Sequence, residues 1–156
     1  LRGVSRIRIQ GHCEFYSNCG TLPIPAGYSQ FKRAFNHHHY LYKSGESCSH
    51  YLLLFYAIEC GLKSIYYWKI SRSIIMEDVN DKSGHDLFLW AKAIRLPRYV
   101  TGKEPKFRLK GEPNKNAVSL AHQAWRYGVQ IEREDEILLV AWLKKVDEWI
   151  EENIYP

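Results

Sequence analysis

The sequence predicts an all-α fold: an antiparallel bundle of four to five helices with an irregular N-terminal arm. Three observations predict it. Residues 51–58 are an unbroken apolar run within the stretch ESCSHYLLLFYAIECGLKSIYYW, residues 46–68. A helix that is apolar on nearly every side must be surrounded by others. Near the C-terminus Leu139, Trp142, Leu143, Val146, Trp149 and Ile150 recur at three- and four-residue spacing, the mark of one buried helix face. Ser44 and Gly45 leave only a tight turn between the first helix and the apolar stretch, and short connections favour antiparallel neighbours.

The first element in the chain is the arm, residues 1–26, where Pro23, Pro25 and Gly27 read as a loop. One domain, residues 27–156, is expected after it. Its first helix runs from a Ser29 cap through Phe31 and Phe35 to Tyr42 or Lys43. The apolar helix follows to Trp68, and residues 69–83 read as a frayed end and a loop. A third helix opens near His85 or Asp86, where an acid in the first turn suits the helix dipole, and Pro97 stops it. Residues 95–115 carry seven basic and two acidic side chains with three Pro and two Gly, which argues against a regular element. A fourth helix spans about 116–127 and ends at Gly128. The last runs from about Glu134 to Asn153, with Glu134, Asp135 and Glu136 in its first turn.

Composition narrows the function classes. A content of 46% hydrophobic residues excludes a disordered chain. The apolar run is far short of the about 20 residues that cross a bilayer, so no membrane partner is expected. The basic start lacks the apolar block of a secretory signal. Cys13, Cys19, Cys48 and Cys60 are expected to be the free thiols of a cytoplasmic protein. A chain this long buries roughly two thirds of its unfolded surface and needs no metal staple, so no metal and no cofactor is expected. The net charge of +5 favours anionic partners.

Three motifs in succession carry a family resemblance: Tyr56-Ala57-Ile58-Glu59-Cys60-Gly61-Leu62-Lys63, then Gly84-His85-Asp86-Leu87 opening a helix, then Arg126-Tyr127-Gly128 before the long final helix. From Ser29 to Asn153 this succession resembles the HEPN superfamily of prokaryotic helical domains. The resemblance implies a helical bundle that dimerises or binds a partner protein. It also implies a place in a CRISPR, toxin–antitoxin or anti-phage system, acting as an RNA-binding module or a structural subunit. Active members cleave RNA without a metal, the 2′-hydroxyl attacking its own phosphate. They carry an Arg, four to six residues and a His, two such motifs meeting across a dimer.

Such cleavage needs a base, an acid and a cation for the phosphorane. The formal match is Arg33 with His38 or His39, at four and five intervening residues. It departs from the family in lying on the first helix and in having Ala34, not a polar residue, after the Arg. The competing reading is a polar helix end. His122 and Arg126, four apart, make a second candidate cluster in reversed order. Glu59 and Lys63, acid first at four-residue spacing, form either an edge ion pair or one held between helices. His85, opening a helix with Asp86 beside it, reads as a cap or packing residue; Asp86 reads as a structural first-turn acid. The candidate RNA surface is Arg95, Arg98, Lys103, Lys106, Arg108 and Lys110, interleaved with Tyr99 and Phe107. Its bland counterpart is a solvated loop.

Overall fold

The computed structural model describes residues 24–45, 49–72, 74, 79 and 84–155. Its axis is α2, Ser49–Ser71. Residues 57–66 of that helix are buried without a break, on all of its sides, with Leu54 and Phe55 buried before them. Four helices supply the cover: α1, Ile24–Lys43; α3, Leu87–Ala93; α5, Ala121–Tyr127; and α6, Arg133–Asn153. The all-α bundle expected from the apolar run is therefore the observed fold. Among the described residues no helix is long and apolar enough to cross a membrane.

Gly61 sets how closely three helices meet. A Cβ there would stand 2.6 Å from Ile150 Cγ2 on α6 and 3.0 Å from Phe35 Cδ2 on α1. Gly61→Ala is expected to destabilise by about 1–2 kcal/mol, because overpacking outweighs the gain of up to ~1 kcal/mol in helix propensity. Chemical denaturation would measure it; a stabilised variant would mean the helices can part cheaply.

Three boundaries differ from expectation. In one, the fourth helix expected from about 116 starts as α5 at Ala121, because residues 116 and 117 pair in a strand and 118–120 make a single 3-10 turn. The first helix begins at Ile24, inside the predicted arm, with Pro25 and Gly27 in its opening turns. Proline is tolerated there because the first N–H groups of a helix have no internal partner. The rest of the arm, and Cys13, Cys19 and Cys48, lie outside the described residues. The basic connection is also more regular than its Pro and Gly suggest. It holds a single-turn α4, Arg98–Thr101, and an antiparallel hairpin of β1, Lys106–Arg108, and β2, Lys115–Ala117. Phe107 is buried beneath the hairpin, so it belongs to the core and not to a stacking surface. Leu109 bridges to Ile131, and Arg108 binds Asp135 through Nε at 2.8 Å and Nη2 at 3.2 Å. These contacts tie the hairpin to the start of α6.

Candidate functional site

The notable chemistry gathers around Glu59, on the side of α2 that faces α3 and α5. Its carboxylate is buried, and it accepts hydrogen bonds from two sources. Lys63 Nζ lies 2.6 Å from Oε1, and His85 Nδ1 lies 2.8 Å from Oε2. The i, i+4 pair is thus held between helices and does not decorate an edge. Lys63 also lies over the rings of Phe31 and Trp90, which wall the ammonium off from water. Burial alone would raise the Glu59 carboxyl. The hydrogen bond from His85 and the charge of Lys63 outweigh it and hold the group below the ordinary carboxylate range. An ionised carboxylate only accepts, so Nδ1 of His85 carries the hydrogen. Nε2, the other nitrogen of a ring whose side chain is 45% exposed, is left with its lone pair when the ring is neutral.

His85 sits one residue before the α3 cap. Asp86 is that cap: its Oδ1 accepts from Leu89 N at 3.0 Å. The cap is thus Asp86, expected as a first-turn acid, while His85, expected to cap or pack, packs on a neighbouring ring and reaches back to Glu59. Against its ring lies His122 of α5, centroids 4.3 Å apart. His122 is buried, and its Nδ1 donates to Ser119 O at 2.7 Å. Burial lowers its pKa, and the neighbouring His85 lowers it further against the pull of that carbonyl. The ring under His85 is thus kept neutral. Arg126, one turn beyond His122, is exposed and lies close enough to His122 and Tyr56 for its charge to be felt by both.

The α1 candidates separate. On a regular helix, residues five and six apart are about 140° and 120° around the axis, so neither His38 nor His39 shares the face of Arg33. Arg33 is exposed. His38 turns toward α2, its ring 5.9 Å from that of Tyr56, on the flank of the Glu59 cluster. His39 turns to α6 instead, between Asp147 and Glu151. One helix therefore offers no Arg33–His38–His39 constellation.

The basic surface is partly as read. Arg95, Arg98, Lys103 and Lys110 are exposed, and Tyr99 stands out among them at 73% exposure. Lys106 is exposed but pairs with Glu104 at 2.7 Å. Arg108 is engaged in its fork with Asp135, with its side chain 38% exposed. Sequence reasoning missed two further cations: Lys144 and Lys145 join Lys103 around a cleft of about 500 Å³ between α4 and α6, floored by Trp142. Their spacing on the polar side of α6 was the available signal.

The two lowered imidazoles, His38 and His122, fix a pH dependence. Burial lowers both, with His37 acting further on His38 and His85 on His122. Their folded-state values lie below the unfolded ones, so at mildly acid pH the unfolded chain binds more protons. Stability is expected to fall as pH drops through about 6.5, and to fall again below about 4.3 as Glu59 and Asp135 protonate in the unfolded state. Thermal melts from about pH 8 to about pH 2.5 would follow both steps. His122→Gln should flatten the upper step.

Compared with family models, with curated proteins and with solved structures, the chain finds no match in any of the three.

Proposed function

We propose that this chain is a HEPN-like RNA-binding protein of a prokaryotic defence system that cleaves RNA by metal-independent transesterification. One observation carries the catalytic part: a buried ionised carboxylate, Glu59, aims a solvent-facing imidazole, His85. That arrangement fixes the tautomer of the base and offsets the charge it acquires on taking a proton. His85 Nε2 takes the proton of the 2′-hydroxyl, whose oxygen attacks the adjacent phosphorus. The 5′-oxygen leaves and is protonated by water, giving a 2′,3′-cyclic phosphate and a 5′-hydroxyl. Arg126, whose charge reaches His122 beside the His85 ring, supports this reading as the cation for the phosphorane. Neutral His122 backs the His85 ring without repelling its protonated form. The family motif on α1 is not used in this reading; the residues come from α2, the α3 cap turn and α5.

A second reading, binding without cleavage, is favoured by the exposed cations around Tyr99. They suit phosphates and an unpaired base whether or not a reaction follows. Arg95 supports a role for this surface. It takes the left-handed position after α3 at φ 58°, where glycine is the unstrained residue. A cation kept at a cost of about 1 kcal/mol points to use of its charge. Arg95→Gly is expected to raise the melting temperature and to weaken RNA binding; gains in both would remove the argument. Exposed Tyr127, Val129, Ile137 and Leu138 give apolar area on which a second copy or a partner protein could seat, in keeping with the dimers of the family.

The deciding experiment incubates the purified protein with a labelled oligoribonucleotide in chelator, beside its all-deoxy counterpart. Cleavage of RNA only, with a cyclic phosphate product, is expected. His85→Ala should lower the rate at least about 100-fold while leaving RNA affinity unchanged. A folded wild type that binds RNA in a steeply salt-dependent way yet never cleaves it leaves the second reading. Absence of both activities removes the RNA proposal and leaves a structural subunit.

A further inference from the structure

On the side of α1 that meets α6, three ligand-type side chains from two helices come together, and none of them takes part in the proposed RNA chemistry. Asp147 and Glu151 are one turn apart on α6, so both face α1. His39 stands between them, Nδ1 at 3.0 Å from Asp147 Oδ1 and Nε2 at 2.8 Å from Glu151 Oε1. The His39 and Asp147 side chains are 12% and 5% exposed, whereas Glu151 is 40% exposed. His39 and Glu151 also line a cavity of about 330 Å³ with Asn36, Tyr40 and Lys43, which leads to solvent.

The contact pattern is over-subscribed for a neutral ring. Neutral imidazole has one N–H and satisfies one carboxylate; its second nitrogen then sets a lone pair against carboxylate oxygen. A proton on that nitrogen resolves the conflict, and so does a cation between nitrogen and oxygen. The three donor atoms lie within 4.8 Å of one another. Two ligands at about 2.0–2.2 Å on a tetrahedral metal stand roughly 3.3–3.6 Å apart, so His39 Nε2 and Glu151 Oε1, 2.8 Å apart, admit an ion after a small outward shift of the exposed Glu151.

We propose that His39 Nε2 and Glu151 bind a divalent transition-metal ion of the zinc class at the cavity. Asp147 accepts the Nδ1 hydrogen of His39, fixing the ring as the outer carboxylate does in carboxylate–histidine–zinc arrangements. Water entering from the cavity completes the coordination, with the Asn36 side chain on the same helix face. The imidazole selects zinc, nickel, copper or iron over magnesium and calcium, which prefer oxygen alone. Lys43 Nζ, 3.2 Å from Glu151 Oε2, holds that carboxylate when no ion does, and its 55% exposed side chain is free to swing away. The ion would staple the end of α1 to α6, independently of the Glu59 cluster.

The test is calorimetric titration of the full chain with Zn²⁺, and with Mg²⁺ as the contrast, paired with thermal melts. The thiols elsewhere in the chain make variants, not stoichiometry, the readout. His39→Gln and Glu151→Gln should each weaken one binding event at least about tenfold and abolish the zinc-induced rise in melting temperature. His37→Gln, on the adjacent exposed ring, should change neither. Lys43→Met should tighten zinc binding several-fold, a gain that a purely structural ion pair would not produce. Glu151 is exposed enough that its variant tests binding without risking the fold. Zinc affinity unchanged in both His39→Gln and Glu151→Gln would overturn the proposal and leave the triad as an ion-pair clasp between two helices. So would Mg²⁺ binding equal to Zn²⁺.

Discussion

Glu59→Leu is expected to destabilise the protein by about 3–5 kcal/mol, the largest loss of any single charge change in the chain. The cost arises from what is left behind. Lys63 is 3% exposed and walled by Phe31 and Trp90, so its ammonium would keep its burial and lose its carboxylate. Replacing both partners removes the stranded charge. Glu59→Leu with Lys63→Met should therefore recover most of the loss, because an apolar pair of similar volume is often neutral or stabilising. A double-mutant cycle by denaturant titration measures the coupling. If the double variant is as unstable as the single one, the damage is to packing and the pair is not the cause. On the proposed RNA-cleavage reading, every variant that lacks Glu59 should lose cleavage, with its fold intact in the double case, since His85 is then no longer aimed.

Phe55→Ala is the second large effect, at about 3–5 kcal/mol. Phe55 is fully buried on α2, and its ring lies 5.2 Å from that of His122. At this chain length the melting temperature should fall by roughly 6–20 °C, at about 2–4 °C per kcal/mol. Phe55→Leu keeps most of the volume and should cost less than half as much. A loss within about 0.5 kcal/mol of zero would mean that α2 is not the packed axis described above.

What could be read in the sequence follows from how local its cause is. The identity of α2 was legible because an uninterrupted apolar run admits few environments. The start of α3 at His85 or Asp86 was legible because an acid at a helix start acts within one turn, although which of the two residues caps it was not. The early start of α1 was not, because Pro25 and Gly27 punctuate most contexts and are harmless only in a first turn. The hairpin was not, since its strands are three residues long and its position depends on Leu109 meeting Ile131 and Arg108 meeting Asp135, both more than twenty positions on. The cluster at Glu59 was half visible. The Glu59–Lys63 and His122–Arg126 spacings were on the page, but their convergence through His85 is a matter of which way α3 crosses α2. His39 shows the converse: its proximity to Arg33 in sequence suggested a shared site, and the helical turn between them sends it to a different neighbour.

The two helices that carry or adjoin the imidazole pair, α3 and α5, are seven residues each. Helices below about 12–15 residues do not hold in water by themselves, so these two persist only while docked on α2. The long helices α1, α2 and α6 have no such dependence on them for most of their mutual contact. Mild denaturant or warmth should then detach the short pair first, as a local opening below the global transition. Loss of the proposed RNA cleavage would precede unfolding, and amide exchange would run faster through residues 87–93 and 121–127 than along the middle of α2.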